Sequence, residues 1–158
     1  MERIDRIMAH PLFVSNQKGI EELEQERIFC RHGMNHCLDV ARILYIKVLE
    51  QNIAIPKDII YATALLHDIG RCVEYEAGTS HHMVGGELAN RILSQCGYSY
   101  EECKQITEAI TAHKEKRNDS TLCKLLYEAD KLSRNCFDCP AIEDCYWPRD
   151  RKNKVITY

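Results

Sequence analysis

The segment from Pro56 to Leu66 constrains this chain most. Ile59, Ile60, Ala62, Ala64, Leu65 and Leu66 make it apolar almost all round, the pattern of a helix buried on every side, and Pro56 suits a helix's first turn. It runs without a break into His67-Asp68-Ile69-Gly70. A core helix that ends on an imidazole and a carboxylate must find a partner for each, because a polar or charged group taken out of water loses solvation that something has to replace. A lone histidine on an apolar face is commonly a hydrogen-bonded core residue. Asp, by contrast, is rarely buried unpaired, and metal coordination is one way to satisfy it.

Other helices bring further polar groups to the same core. Helical periodicity recurs from about residue 18 to 135, and no segment sustains period-two alternation, so the fold class is all-α. From His32 to about Asn52, Val40, Ile43, Leu44 and Val48 share one face, and His36 stands four residues before Val40 and points inward. Gly70 reads as a helix C-terminus, followed by a loop, GTSHH, and a helix from about His82 to Cys96 closed by Gly97. A helix over Tyr100 to His113 carries Cys103, Ile106, Ile110 and His113 on one stripe, and one over about Ser120 to Asn135 puts Leu122, Leu126 and Asp130 on one face. His36, His113 and Asp130 thus approach the core from three helices. Imidazole and carboxylate together suit iron, manganese, zinc or nickel.

With 158 residues, the chain has the usual size of one domain, and it holds no repeat or Pro- or Gly/Ser-rich linker. The expected organisation is a helical core over residues 1–135 and a Cys-containing tail over 136–158 that packs on the core or extends from it. Lys plus Arg number 21 against 24 Asp plus Glu, a net charge of -3, without the basic excess of a protein that grips a nucleic-acid backbone. Polymeric nucleic acid is not an expected partner. The start, MERIDRIMAH, has no apolar export segment and no apolar run reaches bilayer-spanning length, so a cytoplasmic protein without a membrane partner is expected. The nine cysteines should then remain reduced, and Cys37, Cys72, Cys96, Cys103 and Cys123 read as small core hydrophobes.

The order His36-x3-Val-Ala, then His67-Asp68-Ile69-Gly70, then Glu128-Ala129-Asp130-Lys131-Leu132 resembles the HD-domain metal-dependent phosphohydrolases, over about residues 25 to 135. That resemblance implies a helical HD bundle in which His36, His67, Asp68 and Asp130 bind a divalent metal ion, with Asp68 bridging to a second. His81-x3-Gly85-Gly86-Glu87 and Ala109-Ile110-x2-His113 look like the family's two-metal branch, which includes the bacterial symmetrical diadenosine tetraphosphate hydrolases. The branch implies two ions held also by His81 and His113, iron first, with manganese, nickel, cobalt or zinc compatible. His82 could exchange roles with His81, and His32, one turn before His36, could ligate but reads rather as a surface histidine or a support behind the ligands.

Two metal ions lower the pKa of a bridging water and offset charge on the leaving oxygen, leaving the protein to supply cations and shape. Arg71, Lys131 and Arg134 are the expected phosphate contacts, Arg as a fork and Lys as a point charge, and Asp68, Arg71 and Lys131 the expected catalytic groups. The expected function is hydrolysis of a small nucleotide or other phosphate ester or anhydride. An HD-type di-iron oxygenase and a non-catalytic nucleotide-binding module fit the same ligands.

Beyond the last core helix, Cys136-x2-Cys139-x5-Cys145 groups three cysteines. A closed tetrahedral zinc site needs a fourth ligand, which Cys30, Cys72, Cys123 or a histidine could supply. An iron–sulfur cluster, redox-active thiols and plain packing are the alternatives.

Overall fold

The computed structural model describes residues 1–112 and 120–158; His113 lies outside the described residues. The described residues form α-helices and one short 3-10 turn, with no strand. α1 (Glu2–Ala9) and most of α2 (Pro11–Leu23) come before residue 18, where the helical periodicity of the sequence begins. They form because acidic Glu2 and Asp5 sit in the first turn of α1, where they complement the helix dipole. Pro11 opens α2, and the His10 side chain accepts from the Leu12 amide.

α3 (Met34–Glu50) starts two residues later than the sequence pattern suggests, and buries His36, Val40, Ile43, Leu44, Lys47 and Val48 on one stripe. α4 (Lys57–Leu66) is the central helix, with every residue from Ile59 to Leu66 except Tyr61 buried. It packs against α3, which in turn packs on α8 (Thr121–Leu132), and against α7 (Tyr100–Ala112), which pairs with α6 (His81–Gln95). α1 is clamped over this core by Arg3, whose guanidinium binds Asp58 at the start of α4 and Glu102 on α7 while lying 4.2 Å from the Tyr98 ring centroid.

The chain does not loop freely after Gly70. Arg71–Ala77 forms a further short helix, α5, stopped by Gly78 in the left-handed conformation at φ 72°, its amide donating to the Glu74 carbonyl. α5 is not expected from the sequence, where Gly70 reads as a helix end, whereas its backbone is right-handed helical, at φ -78° and ψ -5°. Gly70 is required for closeness instead: a Cβ there would lie 2.1 Å from the His81 carbonyl oxygen and 2.7 Å from the Gly85 amide nitrogen. Its bare backbone lets the first turn of α6 press against the end of α4, which brings His81 to Asp68.

The tail after Asn135 contains the 3-10 turn Cys136–Asp138 and lies back on α8, where the Asn153 amide donates to the carbonyls of Lys131 and Arg134. No helix among the described residues is long and apolar enough to cross a membrane.

Because the atoms crowding Gly70 belong to backbone, Gly70→Ala should destabilise the protein by about 1–3 kcal/mol or more. An unchanged denaturant midpoint would show that α6 does not depend on this contact.

Candidate metal centre

His36, His67 and Asp68 place one donor atom each within 4.8 Å of one another, all buried. His36 Nε2 is 3.3 Å from His67 Nε2, and Asp68 Oδ2 is 3.1 Å from His67 Nε2 and 3.6 Å from His36 Nε2. Asp130 joins from α8, its Oδ1 3.3 Å from His36 Nε2 and 4.0 Å from His67 Nε2. On its other side, Asp68 Oδ1 is 3.6 Å from His81 Nε2. The two oxygens of one carboxylate therefore face different histidines. His82 is turned away, its ring within reach of the Ser80 hydroxyl.

The three histidines are each held by the ring nitrogen away from this centre. His67 Nδ1 donates to the Ala64 carbonyl at 2.7 Å, and His81 Nδ1 donates to Glu74 at 2.7 Å. The Ser133 hydroxyl spends its one proton on the Asp130 carbonyl, so at 3.1 Å from His36 Nδ1 it accepts. In each case the Nε2 lone pair is left aimed inward, the tautomer that metal-ligating histidines adopt when a carbonyl, carboxylate or hydroxyl fixes the other nitrogen. Glu74 and Ser133 were not singled out from the sequence. Ser133 was detectable in principle, three residues after Asp130 on the same helical face, but Glu74 belongs to the unanticipated α5.

Two facing lone pairs and two buried carboxylates need positive charge between them. Burial opposes ionisation of Asp68 and Asp130, yet the neighbouring histidines and arginines outweigh it and hold both well below the usual carboxylate range. Burial likewise opposes the charged form of His67, but Asp68 and Asp130 overcome it and raise its pKa. Neither Asp68 oxygen accepts a hydrogen bond of acceptable geometry among the described residues, although Arg71 Nε stands 2.8 Å from Oδ1; the pair is an ionic contact without alignment. Metal–ligand bonds of roughly 2.0–2.2 Å put neighbouring donors about 3.0–3.6 Å apart, close to the spacings seen here. The donor set fits a divalent ion, and Asp68 and His81 offer a position for a second.

The three expected cations all reach this centre through its carboxylates. Arg71 contacts Asp68, Lys131 Nζ is 2.6 Å from Asp130 Oδ2, and Arg134 Nη2 is 3.2 Å from both Asp130 Oδ1 and His36 Nε2. They line a cavity of about 210 Å³ together with Asp130, Phe29, Trp147 and the cysteines of the tail.

His32 is buried rather than at the surface, 4 % exposed, because it packs edge-on to His36 and donates to Glu24. Burial pushes His32 down to about 4 against the pull of Glu24, so it is neutral at neutral pH. Glu24, itself buried, accepts from the His32 ring and amide and from the Tyr75 hydroxyl. Burial alone would raise its pKa, and these donors instead hold it at about 2.

The family model described as HD domain matches residues 33–135. An uncharacterized protein of Clostridium beijerinckii is 39% identical over 158 residues, covering all of both chains. Ribonuclease Y of Geotalea uraniireducens is 32% identical over 126 residues, 79% of this chain and 22% of the relative, and ribonuclease Y of Geobacter sulfurreducens matches to the same extent. The chain spans about a fifth of the length of these ribonucleases. No solved structure matches it.

Removing the groups that hold the candidate histidines should weaken metal binding without unfolding the protein. Ser133→Ala and Glu74→Gln are each expected to lower manganese affinity about 10–100-fold, read by calorimetric titration; unchanged affinity in both would mean that they do not orient His36 and His81. Glu24 has a folded pKa below its ordinary value of 4.5, so its contribution is present above about 4.5 and is lost as pH falls toward about 2. Glu24→Gln should therefore lower stability by about 1–3 kcal/mol at neutral pH, with a difference from wild type that shrinks below pH 4.5. A difference that stays constant down to pH 2.5 would contradict the assignment.

Proposed function

The chain belongs to the HD-domain family, and from that premise we propose that it is a metal-dependent phosphohydrolase that cleaves an ester or anhydride bond of a small nucleotide. The observation that carries this reading is the division of Asp68, with Oδ2 toward His36 and His67 and Oδ1 toward His81. A carboxylate in that position can serve two divalent ions at once, and His36, His67 and Asp130 complete one site while His81 contributes to the other. When bound, such ions supply a water of lowered pKa and a counter-charge for phosphate oxygens.

The remaining work falls to the chain's own side chains. Arg71 and Lys131, each already beside a ligand carboxylate and on the wall of the cavity, can hold non-bridging phosphate oxygens, and Arg134 adds a second fork. These cations keep Asp68 and Asp130 ionised, which is the form that ligates. The likeness to proteins named ribonuclease Y supports phosphodiester chemistry, while the net charge of -3 favours a small substrate over a long RNA, since long-strand binding rests on cationic contacts.

The test is turnover of anaerobically purified protein, with added manganese or iron, on nucleotides, dinucleoside polyphosphates including diadenosine tetraphosphate, and short RNA. Metal-dependent release from a small nucleotide is expected, and Asp68→Ala should lose bound metal and nearly all turnover together. Cleavage confined to RNA would overturn the substrate class. Full activity with normal metal content in Asp68→Ala would overturn the site, and oxygen-dependent product formation without hydrolysis would replace it with oxygenase chemistry.

A further inference from the structure

Four cysteines, not three, come together beside the histidine–aspartate centre. Cys136, Cys139 and Cys145 of the tail share the walls of one cavity with Cys30, which lies 106 residues before Cys136 on the connection between α2 and α3. None of the four is in a disulfide, and the other three lie close enough to Cys30 to oppose its ionisation electrostatically. Cys30 is set in place by its own carbonyl, which accepts from Arg27 Nε at 2.9 Å. An edge-on contact between Phe29 and Tyr146 ties the neighbouring residue to the tail. Cys72 and Cys123, which the sequence left open as fourth ligands, do not line this cavity.

From this grouping we propose that Cys30, Cys136, Cys139 and Cys145 ligate an iron–sulfur cluster. A single zinc ion with Zn–S bonds of about 2.3 Å holds its four sulfurs about 3.8 Å apart. Among the described residues no three of these sulfurs come within 4.8 Å of one another, yet all four cysteines line one cavity of about 210 Å³. Thiols spread around a cavity suit a centre of several atoms, and four cysteine thiolates are the usual ligands of such clusters. Each thiol gives up its proton on ligation. The resulting negative charge is met by Arg27, Arg71, Lys131, Arg134 and Lys152 on the same walls, against one carboxylate, Asp130. The proposal is independent of what the histidine–aspartate centre hydrolyses.

The cluster would fix part of the cavity that Arg71 of α5 and Asp130 and Lys131 of α8 also line. It would cross-link the tail to the α2–α3 connection, adding to the edge-on contact of Phe29 with Tyr146.

The full chain, produced with iron and sulfide supply and purified without oxygen, should contain acid-labile sulfide in about a one-to-one ratio with its tail-associated iron, and show broad visible absorbance that bleaches on reduction. Both signals should persist in a His36→Ala/His67→Ala variant, which removes ligands of the other centre, and in Cys72→Ala. They should vanish in Cys30→Ala and in Cys139→Ala, with helical circular dichroism showing that each variant is folded. Zinc without sulfide, wild-type protein without sulfide after supply, or sulfide retained in folded Cys30→Ala would each overturn the proposal.

Discussion

The burial of Asp68 governs this structure. α4 is apolar on nearly every side, so the chain leaves it deep in the core, and the carboxylate at its end has a side chain only 3 % exposed. Removing one partner from a buried charge pair costs roughly 3–5 kcal/mol, so such a group persists only where its surroundings compensate it. Here compensation comes from His67 on the preceding residue, His36 from α3, His81 from α6 and Arg71 on the next turn. Gly70 allows the backbone approach that puts His81 in range. The centre is thus a consequence of where the most hydrophobic helix stops.

Its histidines are preorganised by groups that carry no positive charge themselves. The Ala64 carbonyl, the Ser133 hydroxyl and the Glu74 carboxylate each take an Nδ1 proton and leave Nε2 facing inward. Arg134 sits against His36 Nε2 and Asp130 Oδ1, so a cation competes for two of the donors that a metal ion would use. The same side chain lines the cavity where the tail cysteines meet. The metal centre and the tail therefore share Arg134, and the tail also reaches the end of α8 through Asn153, which donates to the Lys131 carbonyl.

Much of the core was legible in the sequence because its helices are long and periodic. The spacing of His36 to Val40 and of Leu126 to Asp130 put both polar residues on buried faces, and the structure has them there. α5 was not legible, since seven residues without a buried face carry no periodic signal, and with it Glu74 and the hydrogen bond from Tyr75 to buried Glu24 were out of view. α1 and α2 were obscured by Pro11 and by a weakly polar composition that local capping overrides. The spacing to Gly85 favours His81 over His82, and the approach at Gly70 turns His81 toward Asp68 while His82 reaches Ser80. The pairing of Cys30 with the tail is likewise a long-range fact that no local spacing records.

The most direct measurement is anomalous X-ray scattering from crystals of the protein grown with manganese. A peak bonded to His36 Nε2, His67 Nε2, Asp68 and Asp130 at about 2.0–2.2 Å is expected, with Arg134 moved off His36. A crystal without a peak there, in which Arg71 and Arg134 remain the sole cations on the two carboxylates, would contradict it.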